Sequence, residues 1–173
     1  MKNNRRLILM SLFIAISYIG ALIKIPGPFT TIALDSFPGY LGGLIIGGIY
    51  GGFVGMIAHL FVALLSGFPF SLPVHIIISF MMFISVFCYS KLSKRYNIIL
   101  GSAIGVLLNG ILMPLALIPL ILTPLASMLP PFMDKVFFIS LIPILTIASV
   151  TNIILSNVMY ASIKNLIPLW INE

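Results

Sequence analysis

The long, unbroken apolar runs of this chain decide its solvent before anything else. Of 173 residues, 61% are hydrophobic and 7% charged, against roughly 25% charged in a soluble domain. A water-soluble domain must cover itself with polar groups, and this composition leaves too few to do so. Lipid is the remaining solvent. There each backbone amide is satisfied inside its own helix or in a closed barrel, and continuous apolar runs fit helices rather than the alternating pattern of barrel strands. The expected class is an all-α membrane protein, built as a single transmembrane domain over residues 1–173.

A spanning helix takes about 20 apolar residues. Charges, Pro/Gly clusters and available length divide the chain into six spans at about 7–23, 37–49, 51–66, 74–92, 98–122 and 136–163. The second and third are short, and their junction, Gly47, Gly48, Tyr50, Gly51 and Gly52, carries no charge. One broken or re-entrant pair, leaving five spans, is the competing arrangement. Gly39, Gly43, Gly47, Gly51 and Gly55 recur every fourth residue, which predicts a small-residue face where helices approach closely.

Six spans put both termini on one side. That side holds Lys2, Arg5, Arg6, Lys91, Lys94, Arg95 and Lys164, whereas the other holds only Lys24 and Lys135. The positive-inside rule therefore places both termini in the cytoplasm and leaves three outer loops, near about 24–36, 66–73 and 123–135. The basic lead before the first span is short and lacks the small-residue cleavage site of a secretory signal, so the first span is expected to be retained. The net charge of +6 comes from scattered basic residues, not one stripe, which argues against a nucleic-acid partner.

Enzymatic chemistry finds no foothold. The chain lacks a His-Glu-x-x-His pattern, a Gly-x-Ser-x-Gly elbow and a phosphate-cradling glycine loop, and it has three acidic residues, one of them Glu173. The single Cys88 matches no metal-ligand spacing. Neither an enzyme nor a metal or cofactor site is expected.

What remains is a sparse polar set at membrane depth. His59, Asn109 and Asn152 fall inside spans, and His75 begins the fourth. Counted from the cytoplasmic ends, Asn109 and Asn152 lie about 12 and 11 residues in, roughly 16–18 Å, so they can meet at one depth. Unpaired polar groups in lipid are costly; each should turn inward, either to bond a neighbouring helix or to line a wet cavity. The loop from Ser66 to Pro73 adds Phe68 and Phe70 between the two histidines, and aromatic faces with a few polar groups suit a planar heterocycle. Asp35 could accept a sugar hydroxyl, cap a helix or pair with Lys24.

With its length, basic N-terminus, glycine-rich second and third spans and basic fourth-to-fifth connection, the chain resembles the S components of energy-coupling factor (ECF) transporters, six-helix proteins that capture vitamins in prokaryotes. Within that family the run Ile23 to Pro28, the Ala33 to Ser36 segment, His59, Ser66 to Pro69 and His75 are most similar to members that carry α-ribazole, the lower-ligand nucleoside of cobalamin. Relatives for pantothenate or thiamine precursors share the same architecture. The resemblance implies a multi-pass protein of the prokaryotic cell membrane whose outward pocket binds a vitamin or vitamin precursor. It implies as partners a shared transmembrane subunit and two ABC-type ATPases. Asp35, His59, Phe68, His75, Asn109 and Asn152 are the expected substrate-binding residues. The family often docks through Ala-x-x-x-Ala in the first helix; here Ser11 and Ala15 stand at that spacing, with Ser17 and Ala21 following. A solitary small transporter or channel is the alternative, though its usual matching broken segments in two halves are missing here.

Overall fold

Helix breakers and charges partition the chain much as anticipated. The computed structural model describes residues 2–26 and 31–166; Gly27, Pro28 and Glu173 lie outside them. Helix α1 (Lys2–Leu22) leads into strands β1 (Lys24–Pro26) and β2 (Thr31–Ala33), which pair antiparallel with Lys24 opposite Ala33. This hairpin was not expected from an all-helical reading, because three-residue strands are too short for alternation to register. There follow α2 (Phe37–Ile46), α3 (Gly48–Leu65) and α4 (Leu72–Arg95). A composite fifth span occupies Ile98–Leu122 and a composite last one begins at Lys135.

Among the described residues, five stretches are long and apolar enough to cross a membrane, Asn4–Leu22, Gly48–Leu65, Leu72–Arg95, Ile98–Leu122 and Lys135–Leu166, whereas Phe37–Ile46 is shorter. Ten helical residues rise only about 15 Å, half of a typical hydrocarbon core. The second expected span is therefore a half-length helix, buried along its whole length. Its N-terminus stops inside the bundle, beneath the outer surface.

The glycine series explains how this half-helix is held. Gly47, at φ +112°, turns the chain between α2 and α3 in a conformation side chains rarely adopt. The two helices then run antiparallel about it. A Cβ on Gly51 would stand 2.3 Å from the Cα of Gly43, and one on Gly39 would stand 3.1 Å from the Cα of Gly55. The four-residue period thus serves a hairpin with Gly47 at its centre: Gly43 faces Gly51 and Gly39 faces Gly55. The same register sets residue 35 opposite residue 59. That places Asp35, just before α2, at the depth of His59 on α3.

Prolines shape the later spans. The fifth comprises α5 (Ile98–Val106), a π-helical turn Leu107–Leu112, α6 (Met113–Leu117) and a 3-10 segment Ile118–Leu122. Pro114 has no N–H to return to the preceding turn, and the helix widens just before it; Pro119 stands where the helix tightens. The last span, expected as one helix, breaks at Leu141 between α7 (Lys135–Ser140) and α8 (Ile142–Ile163). Pro143 is the cause, since it cannot complete the bond to residue 139. Asp134 caps α7 by accepting from the Phe137 N–H at 2.7 Å.

The two small pairs of α1 part company. Ser17 and Ala21 are buried against the bundle, whereas Ser11 and Ala15 are exposed, flanked by exposed Ile8, Leu12 and Ile19. Arg5, Arg6, the Gly47 turn, Lys91, Lys94 and Arg95 gather at one end of the molecule, and Lys24 and Lys135 at the other. Cysteines placed singly at the exposed Pro69 and Lys94 in a Cys88→Ala background are expected to label from opposite membrane faces. Labelling of both from the same face would contradict the six-helix topology.

Candidate functional site

The half-length α2 ends where other helices continue, and a cavity of about 210 Å³ lies there. Asp35 and Ser36 come from the segment just before α2, His59 from α3, His75 from α4, Asn109 from the π-helical turn and Asn152 from α8; all line this cavity. Its remaining wall is mostly apolar and soft, with Met82, Met113 and Met133 beside the fully buried Phe138.

Phe68 departs from expectation. Its ring approaches His75 at 5.8 Å between centroids but does not line the cavity. Phe70 does, lying nearly parallel to the His75 ring at 12° and 5.9 Å. The tight turn decides between them: Gly67, Phe68 and Ser71 all take positive φ, so the loop reverses at Phe68 and carries Phe70 back over the histidine. Alternation along the loop could not reveal this reversal.

Hydrogen bonds divide the polar residues into scaffold and free groups. Asn152 is engaged at both ends of its amide. Its Oδ1 accepts from the backbone N–H of Phe37 at 2.9 Å and of Ser36 at 3.2 Å, and its Nδ2 donates to the carbonyls of Ala33 and Ala148, each at 2.9 Å. A side chain more than a hundred residues away thus caps the exposed N–H groups of α2. The α2 cap is thus Asn152 rather than Asp35, and of the two roles open to Asn152, bonding neighbouring segments and lining the cavity, it takes both.

Asn109 is different. Its Nδ2 donates to Ser149 Oγ at 2.9 Å, and that hydroxyl passes its own hydrogen to the Leu145 carbonyl at 2.7 Å. The serine can only accept from Asn109, which fixes the amide orientation. Asn109 lines the cavity, and its Oδ1 is left as an acceptor with no partner among the described residues. Asn109 belongs to the π-helical turn, a distortion that often marks functional positions.

His59 Nε2 and His75 Nδ1 are 3.1 Å apart, so one nitrogen carries the hydrogen and the other accepts it. The Phe70 N–H points to His75 Nε2 at 3.5 Å, which makes that atom an acceptor. Neutral His75 then carries its hydrogen on Nδ1 and donates to His59, leaving His59 Nδ1–H as the spare donor. Asp35 accepts from Ser36 Oγ at 3.0 Å. Burial pushes the Asp35 carboxyl above the usual carboxylate range, against the opposing pull of the Ser36 hydroxyl. The cavity thus offers the Asn109 carbonyl and the Asp35 carboxyl group, one imidazole donor, one aromatic face and an apolar wall. Among the described residues, no Lys or Arg lines it.

Sequence reasoning missed Ser36, Ser149, the methionines and Phe138. Only the serine after Asp35 carried a signal, as a turn residue before Phe37; the others are ordinary apolar or small residues within spans.

A helical membrane bundle with a mostly apolar cavity in one half and no phosphate-cradling loop defines a solute-binding membrane protein. The family model for the substrate-specific component of ECF transporters matches residues 5–163, and the chain belongs to this family. It is an integral membrane transport subunit and not an enzyme, and membership implies a small-molecule substrate together with the shared transmembrane and ATPase subunits. A solved structure of the S component of a bacterial ECF transporter has the same fold at a TM-score of 0.69, with 22% identity over 95% of this chain and 98% of that one. No curated protein sequence matches the chain.

Proposed function

We propose that this S component captures a neutral, hydroxyl-bearing heterocyclic vitamin or vitamin precursor from outside the cell, with α-ribazole the leading candidate. The observation that carries this reading is the composition of the cavity: acceptors at Asn109 and Asp35, a stacking face at Phe70 and, among the described residues, no Lys or Arg. A nucleoside such as α-ribazole supplies hydroxyl donors for the acceptors and an aromatic base for the ring and the methionine wall. An anion such as pantothenate would leave its carboxylate without a positive partner in a poorly hydrated site, which is costly.

Asp35 favours a second reading, since a cationic partner would offset the burial that disfavours its ionised form, which suits an amine-bearing or cationic ligand of the thiamine-precursor class. A ligand panel separates the two, because binding to the folded state raises apparent stability by mass action. Purified protein in detergent is expected to show its largest rise in Tm with α-ribazole, and none with pantothenate. A larger rise with an aminopyrimidine thiamine precursor would assign the site to that class; a rise with pantothenate alone would overturn the reading.

A further inference from the structure

At the end of the molecule opposite the vitamin cavity, an open groove lies between the start of α1, the α2–α3 turn and the end of α4. Arg6, Lys91, Lys94 and Arg95 line it. The two acidic side chains among the described residues, Asp35 and Asp134, are at the other end, so nothing acidic in the described chain neutralises these four cations. Two helix ends also meet here, the C-terminus of α2 and the N-terminus of α3, and their dipoles oppose one another. The charge of the groove is therefore that of its side chains.

The groove is not simply polar. Ile45, Ile46, Ile49 and Phe87 form an apolar floor beneath the cations. Two of the bases lie over rings: the Arg6 guanidinium is 5.0 Å from the Tyr50 centroid and donates to its hydroxyl at 3.3 Å, and the Lys91 ammonium is 5.5 Å from the Phe87 centroid. From Phe87 an aromatic strip climbs α4 into the membrane zone. Phe83 stacks parallel to Phe87 at 6.2 Å, and Phe53 of α3, which is exposed, meets Phe83 edge-on at 5.1 Å. Gly48 and Gly52 make room for the strip, since a Cβ at either would meet Phe87 or Phe83 within 3.3 Å. Cations over an apolar floor, continuous with an apolar track running into the bilayer, complement an amphiphile with an anionic head.

We propose that this groove binds the head group of an anionic phospholipid in the cytoplasmic leaflet, with an acyl chain along Phe87, Phe83 and Phe53. Basic pockets between transmembrane helices on the cytoplasmic side are the sites where such head groups bind. The positive-inside orientation puts this groove on that side. The lipid holds α1, the α2–α3 hairpin and α4 together at the end remote from the vitamin.

The test uses the purified protein in phosphatidylcholine nanodiscs with or without about one-third phosphatidylglycerol. The anionic lipid is expected to raise Tm, to remain bound in native mass spectra, and to lose at least about tenfold in retention in the Lys91→Gln/Lys94→Gln variant or at high salt. Both residues are exposed, and Arg95 remains to preserve orientation. A Lys91→Arg/Lys94→Arg variant should retain the lipid, which separates charge from general damage. Equal behaviour in the two lipid compositions, or undiminished retention by the glutamine variant, would overturn the proposal. Inorganic phosphate reproducing the whole effect in phosphatidylcholine would replace the lipid by a free anion. Loss of ATPase-complex assembly in the glutamine variant with no lipid preference would assign the groove to a protein partner instead.

Discussion

Replacing Asn152 by leucine is expected to lower both the melting temperature of the empty protein and its affinity for ligand, whereas the same change at Asn109 should lower mainly the affinity. Asn152 accepts from two N–H groups at the start of α2 and donates to two carbonyls, so its loss strands donors inside the bundle. Hydrogen bonds between membrane helices average below about 1 kcal/mol, but unsatisfied buried groups cost about 1–3 kcal/mol each. For the two stranded N–H donors the sum is about 2–6 kcal/mol, on the order of 10 °C in Tm for a chain of this length. Ligand binding suffers by a second route. Asp35 and Ser36 immediately precede the capped turn, and an uncapped α2 no longer fixes them at the cavity. Asn109 gives up one bond to Ser149, worth about 1 kcal/mol, while removing the unpartnered acceptor from the cavity. Thermal unfolding and isothermal titration of the two leucine variants measure the contrast. A Tm loss as large for Asn109 as for Asn152 would show that both residues serve structure.

Alanine at Gly51 is expected to destabilise the protein more than any other single methyl addition along the α2–α3 hairpin. The added Cβ would sit 2.3 Å from both Cα and N of Gly43 and 3.0 Å from the Gly39 carbonyl, all backbone atoms that cannot rotate away. The two helices must then separate, and the buried face of α2 loses its contact. Overpacking of this kind costs about 3 kcal/mol or more, again on the order of 10 °C. Gly42→Ala is the matched control, because its Cβ meets only the Phe13 ring at 3.3 Å, which can give way. Equal melting temperatures for Gly51→Ala and the wild type would mean that the glycine faces do not touch.

These two residues also show what could be read in the sequence and what could not. Charges, prolines and run lengths delimit spans because lipid forbids exceptions, and the helices start and stop close to those marks. The glycine period was visible as well. Its symmetry about Gly47 was not, because a four-residue repeat looks the same on one long face as on two facing ones. His59, Asn109 and Asn152 stood out as polar residues within apolar runs, and all three line the cavity. That Asn152 is spent on capping while Asn109 keeps a free oxygen depends on partners 116 and 40 positions away, beyond the reach of local pattern. The exchange of Phe68 for Phe70 turned on positive φ at a non-glycine residue, which composition does not announce. The π-helical turn before Pro114 had a visible cause but no visible aim.

The exposed Ser11 and Ala15 face of α1 bears on how a binding protein without an energy source concentrates its substrate. Small residues one turn apart let a partner helix come within backbone distance, and a tryptophan at Ala15 would hold it off while remaining far from the cavity. The decisive measurement is substrate accumulation in proteoliposomes containing this chain alone or together with the shared transmembrane subunit and two ATPases. Substrate binding but no accumulation is expected of the chain alone, ATP-dependent accumulation with its partners, and loss of accumulation but not of binding in Ala15→Trp. Sustained concentrative uptake by the lone wild-type chain would contradict this.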